Sequence, residues 1–341
     1  MRPPAVIADD LTGALDTAAQ FTGRWGPVAV GYDLSELPRH APCALSSGTR
    51  EVERDRAVAR SLAYVARLPE GTRFKKIDSL LRGNWAAELA AMRASGPGRA
   101  CVIAPAFPAQ GRITRGGRLI APGRPEIDIA AMLIAEGLEP GRGGAVRIVD
   151  AATDADLEEL VAAEAPRDPL WCGAAGLARA LAGVAPARPA LPAGRTLVII
   201  GTDHPVTMAQ RRALAAARPE AVIALGFADD PGPRAWTELR VLTFDPSPRM
   251  TRAEVAAGIA AALARCLPAM PAPDRLIVTG GETLHAVLRA LGAKRLRCLG
   301  EVVPGLPVTA FEDGLWQGAT LVSKSGAFGH EATLLQLCGS T

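Results

Sequence analysis

Four stretches of the chain repeat one design, in which a short predicted strand is followed by a turn of small or polar residues and then by a helical pattern. The four are IADDLTG from Ile7, FKKIDSLLRGN from Phe74, IIGTDHPVTMAQ from Ile199 and LIVTGGETLHAVL from Leu276. Alternation of apolar strands with helices is typical of parallel sheets that carry helices on their faces. We therefore predict an α/β protein in which mostly parallel sheets are flanked by helices.

One proline-rich stretch separates the first two of these units from the last two. Residues 184–194, VAPARPALPAG, contain three prolines and no apolar period, which indicates an extended linker. A length of 341 residues also suits two domains. We expect two α/β domains, at 1–185 and 195–341, joined by a linker at 186–194.

Composition excludes several classes of function. The formal net charge is only +3, so nothing favours binding to nucleic acid or to a membrane surface. No apolar run reaches the ~20 residues of a membrane-spanning helix, and the first residues lack the pattern of a signal peptide. The six cysteines are widely spaced without a C-x-x-C pair, which favours buried thiols in a reducing compartment. We predict a cytoplasmic protein that binds neither nucleic acid nor membranes.

Two adjacent carboxylates, Asp9 and Asp10, end the first apolar run. Ligands of open α/β sheets bind at the carboxyl ends of strands, beside helix N-termini. Aspartate is also a preferred helix N-cap, so both capping and a functional role stay open for this pair.

A second polar cluster lies at the end of the strand predicted at 73–77. Lysine and arginine here can hold a carboxylate or phosphate, whereas aspartate and asparagine can bind hydroxyl groups or Mg²⁺. The alternative is an ion-paired surface turn with an asparagine cap. The cluster comprises Lys76, Asp78, Ser79, Arg82 and Asn84.

Two glycine-containing loops in the C-terminal half suit phosphate groups. Gly280–Thr283 follows a strongly apolar run, and 323–329 reads SKSGAFG. Glycine lets a phosphate approach the backbone, although either loop can also be a simple turn. There is no Walker A pattern and no G-x-G-x-x-G after a strand. A phosphatase of the haloacid-dehalogenase type is excluded because Ala8 stands where its nucleophilic aspartate belongs.

Seven motifs, in register over nearly the whole chain, resemble those of the four-carbon acid sugar kinases. They are ADDLTGALDTA, KKIDSLLRGN, PAFPAQGRIT, CGAAGLA, GGET, EVVPGLP and KSGAFG. The resemblance implies an N-terminal sugar-acid domain, a C-terminal nucleotide domain and an active site in the cleft between them. It implies ATP-dependent phosphorylation of the 4-hydroxyl of erythronate, threonate or 3-oxo-tetronate, with Mg²⁺ as the metal. Metal ligands and oligomeric state stay open, a homodimer being one option.

The resemblance also implies particular site residues. Those at the acceptor are Asp9, Asp10, Lys76, Asp78, Arg82 and Asn84, and those at ATP are Thr202, Gly280, Gly281, Glu282, Thr283, Lys324 and Gly326. Our hypothesis is that Asp10 or Asp78 takes the proton of the 4-hydroxyl, while Asp9 orients hydroxyl groups or the metal. Arg82 or Lys76 would bind the substrate carboxylate, and Lys324 would offset developing charge.

Three features depart from the family pattern. The chain is shorter than the usual member, the stretch after Gly117 is trimmed where members carry a longer loop, and 201–204 reads GTDH where members carry G-S-x-S. These departures keep open a non-catalytic sugar-acid-binding protein. A phosphohydrolase is the remaining alternative.

Overall fold

A computed structural model describes residues 1–96, 98–141, 144–229, 236 and 238–339. The chain divides into two compact units, Met1–Ala187 and Arg188–Thr341.

The first unit is built on a parallel sheet with a smaller antiparallel sheet beside it. Its strands are β1 (Pro4–Ala8), β2 (Val28–Gly31), β3 (Cys43–Ser46), β4 (Thr72–Lys76), β5 (Cys101–Ala104), β6 (Ile113–Arg115), β7 (Arg118–Ile120), β8 (Ile127–Asp128), β9 (Val146–Ile148) and β10 (Leu170–Gly173). The parallel sheet has the order β2-β3-β1-β4-β10-β5-β9, and the antiparallel sheet has the order β6-β7-β8.

Helices cover this sheet because its strands are apolar on both faces. Every residue of β1 is buried, as in a strand packed on both sides. The helices are α1 (Leu11–Trp25), α2 (Arg54–Val65), α3 (Trp85–Ser95), α4 (Ile129–Ile134), α5 (Asp154–Glu164) and α6 (Ala175–Ala182). One core cluster joins β1, β3, β4's exit and α3, with the fully buried Trp85 among its larger members.

The strand order sets where a ligand site is expected in the first unit. From β1 the chain runs to β2 and β3 on one side, and then to β4 on the other. This reversal creates a topological switch point between β1 and β4, where open α/β sheets bind ligands. Asp9 and Asp78 follow these two strands closely.

The second unit repeats the same principle. Its elements are β11 (Thr196–Ile200), α7 (Pro205–Ala217), β12 (Val222–Leu225), β13 (Leu239–Phe244), α8 (Arg252–Cys266), β14 (Arg275–Thr279), α9 (Gly281–Leu291), β15 (Arg295–Glu301), β16 (Pro307–Phe311), β17 (Thr320–Lys324) and α10 (Thr333–Gly339). The order is β12-β13-β11-β14-β17-β16-β15, parallel from β12 to β17, with β16 antiparallel to both neighbours. Its switch point lies between β11 and β14.

The predicted α/β class with mostly parallel sheets is confirmed. All six cysteines are free thiols, as predicted. Five of them are buried, and Cys338 is partly exposed. Among the residues described, we find no helix both long and apolar enough to cross a membrane.

The structure differs from the predicted elements after β5. The sequence predicts a loop at 105–117 and a helix at Ile127–Ile134. In the structure β6 lies within that loop and pairs with β7, which follows it, and the helix begins at Ile129. Three-residue strands around Gly116 and Gly117 are too short to show an alternating pattern, so local sequence did not reveal them.

Candidate active site

Asp9 and Asp10 occupy different environments at the end of β1. The Asp9 side chain is fully buried. Asp10 is the N-cap of α1, where its Oδ1 accepts a hydrogen bond from the Gly13 N–H at 2.8 Å. Its Oδ2 accepts a further bond from the Thr12 hydroxyl at 2.5 Å. Asp10 therefore caps α1, and this contact does not exclude a functional role for its carboxylate.

Arg50, which was not predicted as a site residue, joins these two carboxylates. Its guanidinium donates to Asp9 at 2.9 and 2.8 Å, and to Asp10 at 2.8 and 2.8 Å. The same group lies 3.6 Å from an oxygen of Asp78. Arg50 ends the polar run SSGTR that starts at the last residue of β3. That polar strand exit, next to β1 in the sheet, is the signal that would have identified it.

Asp78 is held by its own turn. Arg82 donates to both Asp78 carboxylate oxygens at 2.9 Å, and the Leu80 N–H donates at 3.1 Å. Leu81 in this turn has φ of 57°, a left-handed conformation that leucine rarely adopts. Lys76 is buried beside the turn, and its Nζ donates to the Ile77 carbonyl at 2.9 Å. The sheet thus brings the charged ends of β1, β3 and β4 together.

Burial and neighbouring charges shift the carboxylates in opposite directions. Burial raises the pKa of Asp9 despite the nearby Arg50 guanidinium. For Asp10, burial is outweighed by the charges of Arg50 and Lys76, so its pKa falls below the usual value. Burial is also outweighed at Asp78, where the hydrogen bond from Arg82 and the charge of Arg50 hold the pKa well below its usual range. Asp10 and Asp78 are therefore ionised at neutral pH.

Asn84 and Arg112 support the cluster from its edges. The Asn84 side-chain amide donates to the Val52 carbonyl at 2.7 Å and to the Thr49 carbonyl at 3.4 Å, so it holds the turn that carries Arg50. It does not cap α3 with its side chain. Arg112, from the motif PAFPAQGRIT, donates through Nη1 to the Ser79 hydroxyl. Burial lowers the pKa of Arg112. A role for Arg112 was not predicted from the sequence.

In the second unit, three loops meet at the carboxyl ends of β11, β14 and β17. Gly201 lies so close to Thr283 that a Cβ would come within 2.2 Å of its hydroxyl oxygen. A Cβ on Gly326 would come within 2.9 Å of the Thr202 hydroxyl oxygen. Gly280 has φ of 96°, and its N–H donates to the carbonyl of residue 324 at 2.9 Å. The residues expected at the nucleotide therefore pack closely against one another, with glycine backbone lying against threonine side chains.

Two further expected nucleotide residues bracket these loops. Gly281 is the first residue of α9, and Glu282 follows it with an exposed side chain 3.4 Å from the Arg252 guanidinium. A helix N-terminus beside flexible glycine backbone is suited to anions.

Lys324 points into the protein. Its side chain is 1% exposed, and its Nζ donates to the Thr207 hydroxyl at 2.8 Å, to the Ser325 carbonyl at 3.0 Å and to the Phe328 carbonyl at 3.1 Å. Burial lowers the pKa of Lys324 to about 8. A direct contact between Lys324 and a phosphate stays a prediction, because the structure shows its ammonium engaged with the loop itself.

Across the described ranges, no group of three or more His, Cys, Asp or Glu side chains is arranged to hold a metal ion. What unit one offers is a set of ionised carboxylates locked by guanidinium groups, which can bind hydroxyl groups and a negatively charged organic acid. What unit two offers is a group of close-packed, glycine-containing loops at strand ends.

Family models match both halves of the chain. Residues 4–130 match the sugar-binding N-terminal domain, and residues 232–334 match the nucleotide-binding C-terminal domain. The solved structure of a Salmonella typhimurium LT2 protein, described as a candidate tRNA synthase, covers 98% of each chain with a TM-score of 0.77. At 21% identity this similarity concerns the fold.

Curated relatives extend the match to full length. The D-threonate kinase of Cupriavidus necator is 33% identical over 411 residues, covering 96% of this chain and 95% of the relative. The D-threonate kinase of Bordetella bronchiseptica is 30% identical, covering 97% and 95%. Because 411 aligned positions exceed the 341 residues of this chain, the Cupriavidus relative carries internal segments that this chain lacks. The chain belongs to the family of four-carbon acid sugar kinases.

Proposed function

We propose that this protein transfers the γ-phosphoryl group of ATP to the terminal 4-hydroxyl of a four-carbon sugar acid, with D-threonate as the first acceptor to test. The observation that carries the proposal is the cluster of Asp9, Asp10 and Asp78 around Arg50 at the strand ends of the first unit. D-threonate comes first because two D-threonate kinases match the chain over nearly their full lengths.

The two units would divide the substrates between them. The match of residues 4–130 to a sugar-binding domain supports acceptor binding in the first unit. The match of residues 232–334 to a nucleotide-binding domain supports ATP binding in the second, at the loops of Thr202, Gly280–Thr283 and 325–329.

Within the acceptor site, Asp10 takes the proton of the 4-hydroxyl. Its side chain is 19% exposed, against 8% for Asp78 and 0% for Asp9, so it is the carboxylate that a substrate reaches most easily. Phosphoryl transfer depends on positioning and charge more than on a strong base, which suits a carboxylate with a lowered pKa. Asp9 then serves mainly to hold Arg50 in place.

Arg82 binds the carboxylate of the sugar acid. The side chain of Arg82 is 56% exposed, whereas Lys76 is 4% exposed and directed to a backbone carbonyl. A guanidinium can hold Asp78 on one edge and a substrate carboxylate on another.

Mg²⁺ would accompany the nucleotide, where it neutralises the charge of the phosphate groups. Mg²⁺ in such sites needs only one or two protein carboxylates, because phosphate oxygens and water supply the other ligands. Asp203 and Glu282 are exposed carboxylates on the loops after β11 and β14, and they have the oxygen donors that this ion prefers. Lys324 contributes positive charge beneath the loop after β17.

The test is an assay of ADP formation with D-threonate, D-erythronate and 3-oxo-tetronate, followed by ³¹P NMR of the product. Threitol, which lacks the carboxylate, and glycerate, which lacks one carbon, are matched control acceptors. Phosphorylation of one four-carbon acid at its terminal carbon is the expected result. Binding of an acid without turnover over the whole panel would favour a non-catalytic binding protein. Phosphate release from a 4-phosphorylated four-carbon acid in the absence of ATP would favour a phosphohydrolase.

A further inference from the structure

The loop after β17 is fixed from beneath by side chains that form a single hydrogen-bond network. The Lys324 ammonium donates to the carbonyls of Ser325 and Phe328, at 3.0 and 3.1 Å. The Thr207 hydroxyl accepts the third donor of Lys324 at 2.8 Å, and it donates in turn to the Gly326 carbonyl at 2.8 Å. An ammonium group has three N–H donors, so this network uses all of them.

A second residue of α7 extends this network. The Gln210 amide donates to the carbonyls of Phe328 and His330, both at 3.0 Å. Thr207 and Gln210 are three positions apart, on one face of the helix, and both are fully buried. The Phe328 ring packs over Gly305, where a Cβ would come within 2.5 Å of it. The loop therefore has one well-defined conformation.

The direction of these carbonyls fixes the direction of the neighbouring amides. In a planar trans peptide the C=O of one residue and the N–H of the next point in opposite directions. Because the carbonyls of Ser325, Gly326 and Phe328 point towards Lys324 and α7, the N–H groups of Gly326, Ala327 and Gly329 point away from them. Several N–H groups on one side of a loop form a concave site for an anion.

We propose that Lys324 and Thr207 are positioning residues that turn the backbone amides of Gly326, Ala327 and Gly329 towards the phosphates of ATP, and that Lys324 does not itself contact the transferred phosphoryl group. This inference rests on the proposed use of ATP. The inference goes beyond the proposed use of ATP because it assigns phosphate recognition in this loop to the backbone. It also gives Thr207, which is fully buried, a part in nucleotide affinity.

The test compares Thr207→Val with Thr207→Ser. Valine matches threonine in shape but lacks the hydroxyl, whereas serine keeps it. Lys324→Met removes the charge with little change in length. Calorimetry measures the affinity for ATP and for adenosine, which has no phosphate, and steady-state kinetics separates kcat from KM for ATP.

We expect Thr207→Val to weaken ATP binding by about tenfold relative to Thr207→Ser, the effect of losing one buried charge-assisted hydrogen bond. Adenosine affinity should stay within about twofold, which a general loosening of the fold would not allow. Lys324→Met should raise KM for ATP by at least about tenfold, and combining it with Thr207→Val should add little, because both act in one network.

Two results would overturn the inference while leaving the kinase proposal intact. One is equal ATP affinity for Thr207→Val and Thr207→Ser. The other is a loss of about 10²-fold or more in kcat for Lys324→Met at saturating ATP with unchanged ATP affinity, which would indicate direct contact with the reacting phosphoryl group. By contrast, failure of the wild-type protein to bind ATP would overturn the proposed function itself.

Discussion

Replacing Arg50 with methionine tests whether one guanidinium holds the acceptor carboxylates in place. Methionine keeps much of the length of arginine and removes its charge and all its donors. In the native protein these donors make four hydrogen bonds to Asp9 and Asp10. Asp9 is fully buried, so water cannot replace the lost partner.

The expected loss of stability is large. Removing one partner of a buried ion pair costs about 3–5 kcal/mol, because the other charge is left without compensation. For a domain of this size that corresponds to a fall of about 10 °C in the melting temperature. Two carboxylates share Arg50, and Lys76 still acts on both, so we expect the lower half of that range.

The loss should also depend on pH, with a sign that follows from Asp9. Burial already raises the pKa of Asp9 in the native protein, and without Arg50 less positive charge opposes that rise. The folded variant then keeps a proton that the unfolded chain releases above about pH 4, so its stability falls as pH rises. Arg50→Met should therefore be less destabilised at about pH 4.5 than at about pH 7.5.

Urea unfolding followed by circular dichroism measures these differences. The matched control is Arg54→Met, since Arg54 is 55% exposed and surface ion pairs of this kind contribute little to stability. Adding Asp9→Asn to Arg50→Met should restore part of the lost stability at neutral pH, because it removes the uncompensated charge. Two results would contradict this role of Arg50. One is a free energy of unfolding for Arg50→Met within about 1 kcal/mol of wild type, and the other is no recovery of stability when Asp9→Asn is added.

Three further substitutions test other parts of the two units. Asp10→Asn keeps a good N-cap for α1 and should lower kcat by at least about 10²-fold, while Asp78→Asn should lower it by less than about tenfold; the reverse order in steady-state assays would make Asp78 the base. Gly280→Ala places a Cβ at φ of 96° and 3.3 Å from Thr202, so KM for ATP should rise by about tenfold, and an unchanged KM would remove this turn from the nucleotide site. Lys75 and Glu88 form a fully buried ion pair, so Lys75→Met should lower the free energy of unfolding in urea by about 3–5 kcal/mol. Adding Glu88→Leu should recover most of that loss, and no recovery would show that the ion pair stabilises the fold as a whole.

The site residues that could be predicted lie close in sequence to the strand that positions them. Asp10 and Asp78 each follow a strand within a few residues, and a polar strand exit of that kind is visible without a structure. Arg50 could not be placed in this way, because its position depends on β3 lying beside β1 in the sheet. The role of Thr207 could not be predicted for a related reason. Its side chain lies on the buried face of α7, and its role appears only through Lys324, which is 117 residues away in the chain.

The two switch points present different groups to a ligand, so we expect them to respond to different substitutions. A sugar acid carries hydroxyl groups and a single carboxylate, so the first unit surrounds its candidate site with charged side chains of fixed direction, such as Asp10 and Arg82. A triphosphate carries several charges with little directional detail, and close-packed backbone amides suit it better than long side chains. The second unit accordingly places glycines at 201, 280 and 326, where contacts or φ leave little room for a Cβ. Charge-neutralising substitutions should therefore be the most damaging at the first switch point. At the second, adding a single methyl group to a glycine should cost more nucleotide affinity than removing an exposed charge such as Glu282.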